Sequence, residues 1–291
     1  VRLVRAWTTA STDSDDTGRH PRHLMTALTA KTTEEKTFAD LGVRDEIVKA
    51  LAEDGKAHPF AIQELTLPLA LAGDDLIGQA RLLYQLVATL KGGECTEDKL
   101  AYFRDTHEFR NYTLLELPHH GPLSGYAQSD LDYGTTIVRN FLYSALMALL
   151  WEALEKSANA DLAAIAAKSL KEVRYHLRHS RDWLVRLGDG TDESHARVQA
   201  SLDHLFPYTQ EFWVHSPAEA AAIAAGIGID VTTLRADWDA IVDAALAEAT
   251  LQRPALGGYI SEGKQGIHSE HLGFLLAEMQ SLARAYPNGV W

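Results

Sequence analysis

From about residue 135 to the C-terminal tryptophan, one apolar stripe at helical spacing follows another, with only a few residues between them. Residues 135–156 are apolar on nearly every side, so this segment must be a central, buried helix. Leu162, Ala166, Leu170, Val173, Leu177, Leu184 and Leu187 mark one face of the next long helix, which Gly188-Asp189-Gly190 stops. A third helix is expected from Asp192 to Trp213, kinked near Pro207. Ser216-Pro217-Ala218-Glu219 is a capping box with proline at the first helical position, opening a short helix that stops at Gly226. Further helices are expected over 233–251 and 268–286. In the last, Leu272, Leu275, Met279, Leu282 and Tyr286 face one way, and Pro287-Asn288-Gly289 ends it. Long amphipathic helices on short connections make an antiparallel all-α bundle, and no stretch alternates with period two as a strand would.

The first half is less regular. Residues 1–36 read as disordered or loosely attached, because Ser11 to Gly18 is polar and turn-rich. Val43, Ile47 and Leu51 suggest a helix closed by Gly55. Ile62 to Leu71 is apolar, but Pro68 should interrupt any continuous helix there. Leu76, Ala80, Leu83, Val87 and Leu90 form a clean stripe ended by Gly92-Gly93. Residues 96–133 carry mixed signals, with short helices expected and loops at His119-His120-Gly121-Pro122 and Asp132-Tyr133-Gly134.

Composition narrows the function. A formal net charge of -13 argues against a nucleic-acid surface, which needs clustered Lys and Arg. The single cysteine, Cys95, rules out an internal disulfide framework and fits a reducing cytoplasm. The most apolar run, Phe141 to Trp151, is half the length of a membrane span, and the N-terminus lacks a secretory pattern. A cytoplasmic protein is expected. Neither a Gly-x-Ser-x-Gly elbow nor a phosphate-binding Gly-x-x-x-x-Gly-Lys-Ser/Thr is present.

One segment approaches a metal motif and misses it. Bundles that hold two irons take a Glu from each of two helices and a Glu-x-x-His pair from each of the other two. In Lys171-Glu172-Val173-Arg174-Tyr175-His176, tyrosine stands where that histidine belongs, and the histidine is one residue late, about 100° around the helix. No second Glu-x-x-His occurs. Glu172 and His176, at i and i+4, could still chelate one ion, or form a hydrogen-bonded polar pair within the bundle. His179 and Trp183 share their face. Glu152 and Glu248 are conceivable further carboxylates. Arg174, Arg178 and Arg181 make a separate stripe facing solvent, nearby carboxylates or a partner. His268 and His271 could share a face at a helix start, with Glu278 two turns on. Helix capping or interface packing suits them better, because Glu270 and His271 diverge on a helix.

Several ordered blocks add a resemblance. Asp75–Arg81, Lys171–Arg178, Leu187–Asp192, His268–Gly273 and Leu276–Gln280, with the C-terminal tryptophan, resemble the PaaC-type structural subunits of ring 1,2-phenylacetyl-CoA epoxidase, over about residues 75–291. The resemblance implies a ferritin-like bundle and a role in phenylacetate catabolism. It implies a hetero-oligomer in which the di-iron centre belongs to a PaaA-type sister subunit. This chain would then support that subunit, with no catalytic residue, no cofactor and no metal of its own. The rival reading is an autonomous di-metal oxidase built on Glu172 and His176. Ahead of residue 75, Thr37–Gly42 and Ile62–Leu69 resemble the opening of a DEAD-box RNA helicase, with Phe38 and Ile62-Gln63 like its adenine-recognising Q motif. After Arg81 the chain runs Leu82-Leu83-Tyr84-Gln85 instead of entering a phosphate loop, so the resemblance brings no nucleotide hydrolysis with it. The two resemblances meet at Asp75–Arg81. This implies a composite chain: 1–36 loosely attached, 37–74 a helicase-like graft with short helices, and 75–291 the bundle.

Overall fold

A computed structural model describes residues 61–119, 132–287 and 289, with the backbone alone for 61–75. Eight α-helices follow in order among the described residues: α1 (Ala61–Lys91), α2 (Glu97–Tyr102), α3 (Tyr133–Leu154), α4 (Ala160–Gly188), α5 (Asp192–Leu205), α6 (Pro217–Ala224), α7 (Arg235–Glu248) and α8 (Glu270–Ala285). Short 3-10 turns fill connections at Thr106–Glu108, Thr113–Leu115, Phe206–Trp213, Val231–Leu234 and Gly263–Gln265. Asp75–Trp291 is one compact unit, and the other unit, Val1–Asp74, is described only from Ala61, where α1 begins. The expectations for 1–36, for the helix at Val43 to Gly55, for Thr37–Gly42 and for His120-Gly121-Pro122 lie outside the described residues.

The bundle is organised around α3. Ile137, Val138, Phe141, Leu142, Ala145 and Leu146 are all fully buried, which takes neighbours on several sides. Its most extensive partner is α4, and α5 and α7 pack on it as well. The connections from α3 to α4 and from α4 to α5 are too short to allow anything but antiparallel neighbours. α4 contributes Ala166, Leu170, Val173 and Leu184. With Ala148, Trp151 and Leu154 of α3, the first three of these form one core cluster, against which Leu83, Leu162 and Leu177 pack. On the other flank, Phe206, Phe212, Trp213 and Trp238 pack ring against ring at 5.5–6.1 Å. The Trp238 indole N–H donates to the Leu142 carbonyl at 3.1 Å.

Caps explain most helix boundaries. Asp132, Asn159, Thr191 and Ser216 each accept a hydrogen bond from a first-turn amide of the helix that follows. Asp132-Tyr133-Gly134, expected as a loop, is therefore a helix start. Its Asp132 side chain supplies the acceptor, and the glycine sits so close to the Val198 side chain that it belongs inside α3. Pro207 ends α5 as a regular helix, and the chain tightens into 3-10 turns rather than kinking and continuing. α1 runs unbroken through Pro68, contrary to expectation. Proline costs a helix interior about 3 kcal/mol and one hydrogen bond, and a 31-residue helix retains its remaining bonds on either side.

Two of the expected stripes are only partly covered, with Leu83 and Leu272 packed inward. On α1, Leu76, Val87 and Leu90 are exposed while Gln79 is buried. On α8, Leu272, Leu276 and Gln280 are buried, whereas Leu275, Met279, Leu282 and Tyr286 are exposed. Both helices have more apolar surface than this unit covers. α3, at 22 residues, is long and apolar enough to cross a membrane, beyond the half-length run seen in the sequence; two-thirds of its most apolar window is buried inside the bundle.

A Cβ added at Gly188 would press into the Ala249 carbonyl and side chain, where α4 ends against the turn after α7. Gly188→Ala should therefore cost about 1–3 kcal/mol, and Trp238→Ala about 3–5 kcal/mol, in urea unfolding of the full chain. Wild-type midpoints for both would refute this packing.

Candidate functional site

α4 carries the polar residues singled out from sequence. Its face bordering α1 holds Glu172, half-buried, and His176, buried. Glu172 Oε2 accepts a hydrogen bond from Gln79 Nε2 of α1 at 3.0 Å. His176 meets the Tyr175 ring edge-on at 5.9 Å. Tyr175 stacks on His179 at 6.3 Å, and His179 meets Trp183 edge-on at 6.5 Å. Tyr133 of α3 closes this aromatic ladder against Trp183 at 6.1 Å. The tyrosine standing in the histidine position of the iron motif is thus part of a ring stack, with Arg178 over its face at 5.5 Å.

The carboxylates of the rival oxidase reading do not join this face. Glu152 is exposed and accepts from Arg174 at 3.2 Å, and Glu248 is ion-paired to Arg181. Two members of the arginine stripe are therefore surface ion-pair partners. Among the described residues, no three His, Cys, Asp or Glu side chains are grouped to hold a metal ion. A pair of irons needs about six ligands, mostly carboxylates. A glutamate hydrogen-bonded to an amide, beside a histidine one step out of position, does not fit that centre.

The His268 cluster divides in two. α8 begins at Glu270, so His268 precedes it and does not share a helical face with His271. His268 turns inward, its Nδ1 lying 2.6 Å from Glu116 Oε1. Ser269, the N-cap, donates through its amide and its hydroxyl to Glu116 Oε2 at 2.7 and 2.8 Å. Asn111 Nδ2 donates to Glu116 Oε1 at 2.7 Å. One buried glutamate therefore anchors the start of α8. Ser269 makes no side-chain cap bond to the helix, so these residues tie the start of α8 to Glu116 rather than cap it, through a partner that periodicity does not reveal.

Glu211 plays the same part nearby. Its carboxylate accepts from the Thr113 amide at 2.8 Å, the Lys264 amide at 2.7 Å and the Ser261 hydroxyl at 2.9 Å. Lys264 extends its Nζ to Glu219 at 2.8 Å and to the Val214 carbonyl at 2.6 Å. Gly263 has no room for a side chain against Asn111 and Thr113. The buried Arg139 donates to the Leu117 carbonyl and contacts His119, and burial pushes its pKa down to about 10. These groups fasten irregular segments to the bundle. The only sequence signal for Glu116 and Glu211 is a lone acid among apolar residues, in Leu114-Leu115-Glu116-Leu117 and Glu211-Phe212-Trp213.

Glu116→Ala strands several buried donors and should lower stability by about 3 kcal/mol or more in chemical denaturation. A near-neutral effect would show that the hub is not structural. Burial alone would raise the Glu219 pKa, but hydrogen bonds from Lys264 and Ser216 outweigh it and hold the carboxyl below its usual range. A folded-state pKa below the unfolded one stabilises at neutral pH, and that stability is lost as pH falls through the folded value. Glu219→Gln should therefore lower Tm at pH 7 and lessen the loss of Tm below about pH 4.5 in thermal melts. An unchanged acid limb would contradict this assignment.

The profile of the phenylacetic acid catabolic protein family matches residues 65–291. A 1,2-phenylacetyl-CoA epoxidase subunit from Escherichia coli is 42% identical over 228 residues, covering 78% of this chain and 87% of that protein. RNA helicases match only short stretches. DEAD-box ATP-dependent RNA helicase 10 of Arabidopsis thaliana is 54% identical over 46 residues, 16% of this chain and 10% of the helicase. ATP-dependent rRNA helicase rrp3 of Aspergillus terreus is 47% identical over 55 residues, 19% of this chain and 12% of the helicase. With the match running through the whole helical unit, the chain belongs to the phenylacetic acid catabolic protein family, and its bundle is ferritin-like.

Proposed function

We propose that this chain is a non-catalytic structural subunit of a multicomponent phenylacetyl-CoA epoxidase, acting in the cytoplasm in aerobic phenylacetate breakdown. The observation that carries this reading is the 42% identity to the E. coli epoxidase subunit over 87% of that protein's length. Its partner is a homologous PaaA-type subunit that holds the di-iron centre and performs the oxygen chemistry. Two structural features support the role. The polar face of α4 is built from a Gln79–Glu172 hydrogen bond and an aromatic ladder, not from a converging ligand set. The outer face of α8 also leaves Leu275, Met279, Leu282 and Tyr286 in solvent, an apolar surface suited to another helical subunit.

In this role the chain itself carries out no chemical step. Its α3–α4 core and the anchors at Glu116 and Glu211 fix the angle at which α8 presents its outer face. A rigid helix face offered to a partner holds that partner without an ordering cost on association. The short helicase-like stretch contributes no ATPase in this reading, since it lacks the phosphate-loop lysine and hydroxyl.

Co-expression with a PaaA-type di-iron subunit, followed by size-exclusion chromatography, should give one co-eluting complex. Met279→Glu with Leu282→Glu should weaken it at least tenfold while leaving circular dichroism and Tm unchanged. A chain that elutes alone under these conditions would overturn the subunit reading.

A further inference from the structure

His268 sits between two oxygens, and each of its ring nitrogens reaches one. Nδ1 lies 2.6 Å from Glu116 Oε1, and Nε2 lies 3.1 Å from the Phe109 carbonyl oxygen. The His268 side chain is 4% exposed and that of Glu116 1%, so bulk water shares neither contact. The charge on Glu116 follows from its donors. Asn111 Nδ2, the Ser269 amide and the Ser269 hydroxyl donate to it at 2.7, 2.7 and 2.8 Å. With His268 they fill the acceptor sites of a carboxylate and leave no place for a hydrogen of its own. Glu116 is therefore ionised, and His268 Nδ1 must carry a hydrogen. A carbonyl oxygen only accepts, so Nε2 must carry one too. A neutral imidazole has a single N–H, and would turn a lone pair on either the Phe109 carbonyl or the Glu116 carboxylate.

We infer that α8 docks with uptake of a proton: its start is clasped by His268 as an imidazolium, and the clasp loosens when that proton leaves. The helix depends on this contact because its apolar hold is small. Its inner face buries Leu272 and Leu276 against Phe109, in a cluster of three residues. Gln280 and Arg284 add hydrogen bonds to the Ala101 and Arg104 carbonyls. An element with so little core of its own opens more readily than the α3–α4 centre. None of this depends on the subunit role.

The other charges near the ring are mixed. Asp105, the N-cap of the Thr106–Glu108 turn, His107 within that turn, and Glu270 of α8 line one cavity with His268. Asp105 is paired with Arg284. Arg110 donates to the His107 and Phe109 carbonyls at 2.6 Å each, and Arg104 lies over the Phe109 ring at 4.1 Å. The carboxylates favour the imidazolium and the two arginines oppose it. Glu116 decides the balance, because its contact with the ring is a short, buried, charge-assisted hydrogen bond.

The sign follows from linkage. A histidine in solvent is half protonated at about pH 6.5. Below that, docked and undocked states both carry the proton. Above it, docking must draw the proton from solvent, and the docked fraction falls as pH rises. Hydrogen exchange of the α8 amides in the full chain, corrected for its intrinsic pH dependence, reads the opening constant. That constant should rise by up to about tenfold per pH unit between about pH 6.5 and 8, the slope of one proton. His268→Gln should flatten the profile, whereas His107→Gln and His271→Gln should keep the wild-type slope. Nitrogen–proton correlation spectra of the unmodified chain at pH 7 should show hydrogens on both His268 ring nitrogens, a reading independent of whether any variant folds. A single ring hydrogen there, a flat wild-type profile, or a slope that survives His268→Gln would overturn the inference.

Discussion

The whole bundle answers one constraint: α3 is apolar on nearly every side and cannot be left in water. Six of its apolar side chains are fully buried, and α4, α5 and α7 are placed to achieve that. Burying each such side chain contributes about 1.5–3 kcal/mol, so α3 supplies a large part of the drive to fold. Once α3 is enclosed, α4 must run along it with its leucine stripe inward. Its polar residues then sit at the rim of the core, next to α1.

That placement explains the character of the α4 rim. A metal centre inside a bundle needs carboxylates from several helices pointing to one spot. Here the nearby surface carboxylates are ion-paired to arginines of α4 instead, Glu152 to Arg174 and Glu248 to Arg181. The rim itself is filled by rings and by an amide–carboxylate hydrogen bond. Such an arrangement packs and specifies helix register, and it leaves no cluster of donors. Polar burial is concentrated instead in Glu116 and Glu211. Each neutralises several backbone and hydroxyl donors in segments that lack regular secondary structure of their own.

Much of this is legible in the sequence because helices announce themselves locally. Leu162 to Leu187 mark the inner face of α4, Gly188-Asp189-Gly190 its stop, and Ser216-Pro217-Ala218-Glu219 the start of α6. The failures share a cause. Periodicity shows that Leu76, Val87, Leu275 and Met279 lie on one side of a helix, not whether the chain itself covers that side. On α1 and α8 the stripes are only partly covered, with Leu83 and Leu272 packed inward and Leu90 and Leu282 in solvent. Glu116 and Glu211 are invisible for a related reason, since their donors lie up to 153 residues away in sequence. Tyr133-Gly134 resembles a loop because glycine usually punctuates; here a close neighbour, Val198, demands it inside a helix.

The ferritin-like scaffold and the proposed lack of irons in this polypeptide meet in one question, whether it binds iron at all. The direct measurement is iron per chain, by mass spectrometry, on protein purified alone from iron-supplemented cells and again after anaerobic addition of ferrous iron and desalting. Far less than one iron per chain, unchanged by Glu172→Ala, is the result predicted. Two irons per chain, lost on that substitution, would contradict the account.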